Sequence, residues 1–328
     1  MRLWLRGLRD LRGWRAIIGF CLGTVAAALS AQSLPAKPRC DDPGSTMLWQ
    51  VEGPQLQERK VSVQMLGSIH VGKPEFYPLP AVVDQYFRAA NTLVFEVDPR
   101  TTSSLETALS IQQRGMLPGP RTLDQMVDVA TMTSLRNVLQ QLQLPEPLVS
   151  HMKPWMVTML LTSLQVQALG FNPDNGVENY LLRTKLPTAK IAELESLDSQ
   201  LNLLESMDQQ TLLHYTLEDF TNTSAQMDSL ISAWRCSDHA KLSSLLFASR
   251  DSHDQHLSAA EQAKLNSLMK QLFDDRNKVM ADKIEQFIKT GSGDYFVVVG
   301  AGHLLGDNSV ISLLQKKGFK VTPVRNKP

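Results

Sequence analysis

The chain has little of what most readily assigns a function. Its 328 residues include 3 Cys, with no Cys-x-x-Cys pair among them, which removes thioredoxin-like redox chemistry and zinc-finger sites. Lys plus Arg and Asp plus Glu both number 33, so no basic excess exists to hold a polyanion and nucleic acid is not expected as a partner. There is no P-loop, no Gly-x-Gly-x-x-Gly and no Gly-x-Ser-x-Gly elbow. Phosphoryl transfer, hydride transfer and the usual serine-hydrolase route therefore lose their signatures. Beyond residue 31 no apolar run reaches the roughly 20 residues that a membrane span needs. What is present, 43% hydrophobic and 20% charged residues, is the composition of a packed globular body.

The first 31 residues read differently from the rest. Arg2, Arg6, Arg9, Arg12 and Arg15 form a basic stretch, Ala16 to Leu29 an apolar one, and Ala28-Leu29-Ser30 a small-residue cleavage site. Together these are the parts of an export signal, with a periplasmic or secreted destination. The apolar stretch is short for a span, so cleavage is expected; a retained signal anchor is the alternative, and the membrane would then be met only there. Loss of residues 1–31 moves the formal net charge from +0 to about −4, which again disfavours polyanions. Cys21 leaves with the signal. Cys40 and Cys236 remain in an oxidising compartment, where an even count points to a disulfide between them. Residues 32–46, rich in Pro and Ser, read as a linker.

Order is expected from Met47, as one domain over residues 47–328. Leu48–Glu52 and Val61–Leu66 alternate apolar and polar residues on either side of Gly53-Pro54 and read as adjacent strands joined as a hairpin. A short helix around 80–90 precedes a third strand, Asn91 to Asp98. From Ser103 to about Thr290 the helical period dominates, with Thr122 and Asp208 as N-caps and one strand candidate over 188–194. A single helix from about Ser258 to Lys289 stops at Gly291-Ser292-Gly293 and delivers a strand over 295–299; residues 318–324 form the last strand. The expected fold is α/β (α+β): a mixed central sheet built from residues 47–100 and 290–328, with 101–289 as a large, mainly helical insertion able to wall a cleft.

Two of these strands run into the same pattern. Val61 to Leu66 leads into Gly67-Ser68-Ile69-His70, and Tyr295 to Val299 leads into Gly300-Ala301-Gly302-His303. A glycine at a strand end lets the backbone turn sharply or approach another group closely. Each histidine is thereby aimed at the crevice beyond the sheet edge, where α/β folds bind ligands. With seven His and 18 Gly in the chain, fewer than one such match arises by accident, and the shared strand context favours a duplicated geometric role over two packing turns. Neutral imidazole ligates divalent transition metals, and a nearby carboxylate completes the coordination or acts as base on a metal-bound water. Glu96 is the natural third member, because Leu93 to Asp98 is an apolar strand in which an unpaired charge is expensive to bury. Asp98 shares its face by alternation and is the runner-up. The plain alternative is a strand-end carboxylate in a structural ion pair.

These segments, with Lys153-Pro154-Trp155, Gly176-Val177-Glu178, Leu194-Glu195-Ser196 and Arg276-Asn277 followed by Met280-Ala281, resemble the TraB/GumN family. Its relatives include the Tiki membrane proteases, and it is distantly similar to the ChaN and erythromycin-esterase proteins. The resemblance spans essentially the whole chain after the signal. It implies a metal-dependent hydrolase, chiefly a peptidase, with His70, His303 and Glu96 around a divalent ion (Mn, Co or Zn) and a link to signalling-peptide processing or exopolysaccharide gene clusters. It also implies Arg276 as an electrophilic partner for developing negative charge or a substrate carboxylate. Read alone, Arg276 is equally a surface Arg paired with Asp275 or Glu285. Glu195 reads either as the orienter of a histidine or as a carboxylate favoured at a helix start. Gly67, Gly300 and Asn277 are supporting residues.

Other features read as packing or solvated surface. His253 and His256 fall in a polar interhelical loop; His151, His214 and His239 lack motif partners; Pro154 opens a helix, and Trp155 with Met152 to Met159 reads as core. Three functions remain in play. One is metal-dependent cleavage of a peptide or other small substrate, since two histidines leave open coordination positions of the kind a catalytic ion needs. Another is metal-free ester or lactone cleavage, with a histidine and Glu96 as general bases. The third, from a different class, is a periplasmic binding protein that captures a peptide, haem or a polysaccharide intermediate without turnover.

Overall fold

The computed structural model describes residues 40–326 apart from 103, 185–187, 219, 221–222 and 252–256. The expected signal, residues 32–39 of the expected linker, and His253 and His256 lie outside the described residues. Strands β1 (Leu48–Glu52), β2 (Val61–Ser68), β3 (Thr92–Phe95), β4 (Lys190–Glu193), β5 (Gly293–Gly300) and β6 (Lys320–Pro323) form one mixed sheet in the order β4-β3-β5-β2-β1-β6. β5 runs parallel to both β2 and β3, and β3 parallel to β4. Only β1 is reversed, between β2 and β6. The apolar run Phe296 to Val299 makes β5 a central strand. From Tyr295 onward its residues are buried, because a parallel strand covered on both faces needs apolar side chains on both.

β1 and β2 pair antiparallel, with Leu48 opposite Leu66, but no tight turn joins them. The expected hairpin is replaced by a helix, Pro54–Arg59, with Leu56 buried beneath it. Pro54 sits at the first turn, where its fixed φ suits a helix, and Lys60 closes the turn in the left-handed region at φ 54. The helix expected over 258–289 is also divided. Ala259–Met269 and Asp275–Thr290 flank a wider π turn at Lys270–Asp274. Such a turn shifts the faces that follow it and is found at functional sites; here it sets Arg276 and Asn277 one turn beyond buried Leu272 and Phe273.

Residues 40–46 are not a free linker. A disulfide joins Cys40 to Cys236, with Cα atoms 5.1 Å apart. The Thr46 hydroxyl donates to the Val324 carbonyl, and the Thr46 carbonyl accepts from His239 Nε2 at 2.9 Å. Gly44 accepts from the Asn326 N–H at 2.9 Å. Order thus begins upstream of Met47, because this segment finds partners on both the helical middle and the C-terminal strand. That middle supplies β4 at the sheet edge, paired from Thr92↔Lys190 to Phe95↔Glu193. Asp208 caps the helix Gln209–Glu218 by accepting from the Thr211 N–H at 3.1 Å, whereas Thr122 heads only a 3-10 turn, Leu123–Gln125. Trp155, in the helix Pro154–Ala168, is fully buried. Among the described residues no helix is long and apolar enough to cross a membrane.

Candidate functional site

The carboxyl ends of β2, β5 and β3 lie side by side, and each delivers one polar side chain to the same place. Gly67 stands opposite Val299 and Ser68 opposite Gly300, so the second Gly-x-x-His pattern is set one residue further along the sheet than the first. His70 leaves β2 in a bend; His303 leaves β5 in the 3-10 turn Ala301–Leu304. Glu96 follows directly after β3. Its Oε1 lies 4.0 Å from His70 Nε2 and 3.7 Å from His303 Nε2, and accepts the Gly300 N–H at 2.5 Å. A Cβ at residue 300 would stand 3.0 Å from His70 Nε2 and 3.2 Å from Glu96 Oε1, so a side chain there would press directly on the cluster. Gly67 serves packing instead: a Cβ there would meet Met47 Cε at 3.0 Å and the Ala301 Cα at 3.2 Å.

Each imidazole is braced through its other nitrogen. His70 Nδ1 is 2.9 Å from Glu178 Oε1, and the Ser68 hydroxyl donates to the same carboxylate oxygen. His303 Nδ1 is 2.6 Å from Asn277 Oδ1. The Asn277 amide nitrogen donates to the Asn308 carbonyl at 2.9 Å, which assigns Oδ1 as acceptor and puts the His303 proton on Nδ1. Both Nε2 atoms are left facing Glu96, the arrangement by which outer partners fix metal-binding histidines.

Arg276 reaches the cluster from below. Its Nη2 donates to Glu96 Oε2 and to Glu195 Oε2, both at 2.7 Å, its Nε to both Glu195 oxygens at 3.0 Å, and its Nη1 to the Leu272 carbonyl at 3.2 Å. The surface alternative is not realised: Asp275 pairs with Lys270, and Glu285 with Lys289 and Lys317. Glu195 binds Arg276 and Gln200 Nε2 rather than a histidine, just ahead of the helix Leu197–Ser206. Asp98 is not part of the cluster. β3 ends at Phe95, so the alternation that put Asp98 on the Glu96 face lapses, and Asp98 pairs with Arg100 at 2.6 Å.

Electrostatics separate the two rings. Burial works against a charged His70, but Glu178 at hydrogen-bond distance and Glu96 beyond it outweigh burial and raise its pKa to about 9. At His303 burial prevails, with a neutral amide behind the ring and Arg276 nearby, and the pKa falls to about 4. Burial alone would push the Glu96 carboxyl up; its neighbours His303, Arg276 and His70 more than offset this and bring it to about 2. With His303 neutral, Arg276 and the protonated His70 are the charges that keep Glu96 ionised. The cluster lines a cavity of about 120 Å³ whose remaining walls, apart from Ser68 and Gln200, are apolar, from Met159, Leu201, Leu230, Trp234, Leu246 and Phe273 among others.

The sequence model of the TraB/PrgY/gumN family matches residues 47–323. The chain belongs to that family. It is 25% identical to the Uncharacterized protein YbaP of Escherichia coli (strain K12) over 255 residues, covering 76% of this chain and 87% of YbaP. It is 22% identical to the Metalloprotease TIKI homolog of Nematostella vectensis over 360 aligned positions, covering 93% of this chain and 74% of that protein. No solved structure matches it.

Among the described residues no three or more His, Cys, Asp or Glu side chains are already drawn together as a metal-binding group. The donor chemistry of this TraB/PrgY/gumN chain nevertheless suits a divalent cation. Two braced Nε2 atoms face one carboxylate oxygen, 4.0 and 3.7 Å away, and His70, His303 and Glu96 would be the residues that hold such an ion. Such an ion would displace the His70 proton. Sequence reasoning assigned no role to Ser68 or Glu178, although both lie in the family segments. Glu178 looks like an ordinary acid in the first turn of the helix Val177–Thr184; its signal is a charge between apolar Val177 and Leu181 on the buried face, needing a partner.

Proposed function

We propose that this TraB/PrgY/gumN protein is an exported metal-dependent hydrolase that cleaves a peptide bond. The observation that carries the reading is the convergence of His70 Nε2, His303 Nε2 and Glu96 Oε1 on a cavity, each ring braced from behind. His70, His303 and Glu96 would hold the divalent ion (Mn, Co or Zn), which when bound polarises a carbonyl and makes water a nucleophile near neutral pH. The chain's own groups have separate tasks. Asn277 keeps the His303 proton on Nδ1, so that Nε2 is available as a donor atom. Glu178 aims the His70 ring by accepting the hydrogen bond from its Nδ1–H. Arg276 is a positioning residue rather than a free electrophile: it fixes Glu96 through Oε2, turns Oε1 toward the rings and keeps the carboxylate ionised, with Glu195 balancing its charge. Export is supported by the Cys40–Cys236 bond, which persists in an oxidising compartment, and processing of a signalling peptide fits a site of this kind. The test is metal analysis of the purified full chain with digestion of a peptide mixture. Bound divalent metal and metal-dependent cleavage are expected, both lost in His70→Ala and His303→Ala. Peptides that bind and stay intact after prolonged incubation with metal-loaded protein would favour the binding-protein reading instead.

A further inference from the structure

We infer that the apolar end of the cavity is a specificity subsite that seats one large apolar side chain of the peptide, of leucine or phenylalanine size, beside the bond that is cut. This rests on the hydrolase reading above. The ionisable residues lining the cavity are His70, Glu96, Arg276 and the neutral His303, and each is already partnered within the cluster. The rest of the lining is almost wholly apolar, with a buried floor that includes Leu230, Leu246 and Leu272 and a half-buried mouth at Leu197 and Leu204. A charged side chain entering here would give up its water and find no counter-charge, whereas an apolar one would lose nothing. Size agrees. The cavity measures about 120 Å³, and a dry cavity of roughly 150 Å³ with Leu, Ile and Phe walls takes up benzene.

Two aromatic walls tie this chamber to both Gly-x-x-His strands. Trp234 Nε1 donates to the Gly67 carbonyl at 2.9 Å, so its polar end is satisfied on β2 while the rest of the side chain lines the cavity. The Phe273 ring lies 5.4 Å from the His303 ring and presses on Gly302, where an added Cβ would come within 2.7 Å of it. A side chain seated between these walls therefore holds its own backbone amide beside His303 and Glu96, which is how binding a remote group positions a reacting one.

The test is digestion of a random peptide mixture by the metal-loaded full chain, with cleavage sites read by mass spectrometry. Leu, Ile, Met or Phe is expected at one fixed position beside every cut, with Asp, Glu or Lys there cut about 100-fold more slowly or worse, given that even one methylene in an apolar pocket is worth about 10–200-fold. Leu204→Arg, at the half-buried mouth, is expected to lose the apolar preference and gain cleavage next to Asp and Glu. Leu204→Ala keeps the apolar preference and serves should the Arg variant fail to fold. Calorimetry with N-acetyl-leucine amide and N-acetyl-aspartate amide reads the same subsite without turnover, and the leucine amide alone is expected to bind. Cleavage with no side-chain preference and equal binding of the two amides overturns the subsite and leaves the hydrolase reading standing. Selective binding of the leucine amide with no peptide ever cut overturns the hydrolase reading and keeps the subsite. Displacement of the leucine amide by decanoate, together with random cleavage, would reassign the chamber to an acyl chain and overturn the proposal.

Discussion

His70 and His303 leave neighbouring parallel strands through the same Gly-x-x-His pattern, yet one ring is charged and the other neutral at pH 7. The strands do not make the difference. Behind His70 stands the Glu178 carboxylate, from the helix Val177–Thr184; behind His303 stands the Asn277 amide, from the helix Asp275–Thr290. A carboxylate behind the ring stabilises a second proton, whereas an amide oxygen accepts Nδ1–H and leaves Nε2 bare. The repeated motif sets where each ring stands, and a residue distant in sequence sets its charge.

The comparison breaks most completely when a ring is removed. His70→Ala and His303→Ala are each expected to abolish metal uptake and peptide cleavage while thermal unfolding stays cooperative; a variant with full metal content and full activity would assign that ring a structural role only. Arg276→Ala should come next, leaving Glu195 buried without its counter-charge and Glu96 with the protonated His70 alone. A loss of about 3–5 kcal/mol in chemical denaturation is expected, and a loss under about 1 kcal/mol would mean that water compensates the two carboxylates.

A third prediction sharpens the comparison by pH, in metal-free protein. The folded pKa of His70, about 9, lies above its ordinary 6.5, so its contribution is fully present below about 6.5 and is lost as pH rises through about 9. The folded pKa of His303, about 4, lies below 6.5. The unfolded chain therefore takes up that proton first, and stability falls as pH drops from about 6.5 toward 4. Each limb is on the order of 3 kcal/mol. Denaturation across this range should show a maximum near pH 6.5, with His70→Ala flattening the alkaline side and His303→Ala the acid side. A single slope through both ranges would contradict the opposed protonation states.

Exchanging the braces should have a smaller effect. Glu178→Gln is expected to lower the His70 pKa, read from ring protons by NMR, and to weaken metal binding about 10–100-fold; Asn277→Asp should raise the His303 pKa. No movement of either ring would mean that the residue behind it does not set its charge. Smallest of all, Asp98→Asn outside the cluster is expected to shift stability by less than about 1 kcal/mol and to leave kcat/KM unchanged.

Several elements were legible because their signal is local. The apolar runs of β2 and β5 announce buried parallel strands, and the glycines that end them mark the turns toward the cleft. Asp208 reads correctly as a cap because its partner is only three residues away. The failures are non-local or rest on geometry that a linear pattern does not carry. Gly53-Pro54 looks like a hairpin turn, but Pro54 also starts a helix well, and burial of Leu56 decides for the helix. The period from Ser258 to Lys289 continues across Lys270–Asp274, although the backbone there widens into a π turn. Asp98 follows Glu96 by alternation only while the strand lasts, and the strand ends first.

The sequence by itself determined which chain segments are strands, that two histidines stand at strand ends and a carboxylate in a third strand, that the chain resembles the family to which it belongs, and that Cys40 and Cys236 are the pair available to each other. These are matters of composition and short-range spacing, which a linear pattern carries. Tertiary structure alone decided that Glu178 and Asn277 stand behind the rings, that Arg276 faces Glu96 and Glu195 instead of solvent, and that Trp234 and Phe273 wall the chamber. Each of these contacts joins residues from separate elements, and their protonation and exposure follow from the charges and burial that packing brings together. A brace such as Glu178 acquires its function only when the fold buries it against a ring more than a hundred positions away, where an unpaired charge could not remain.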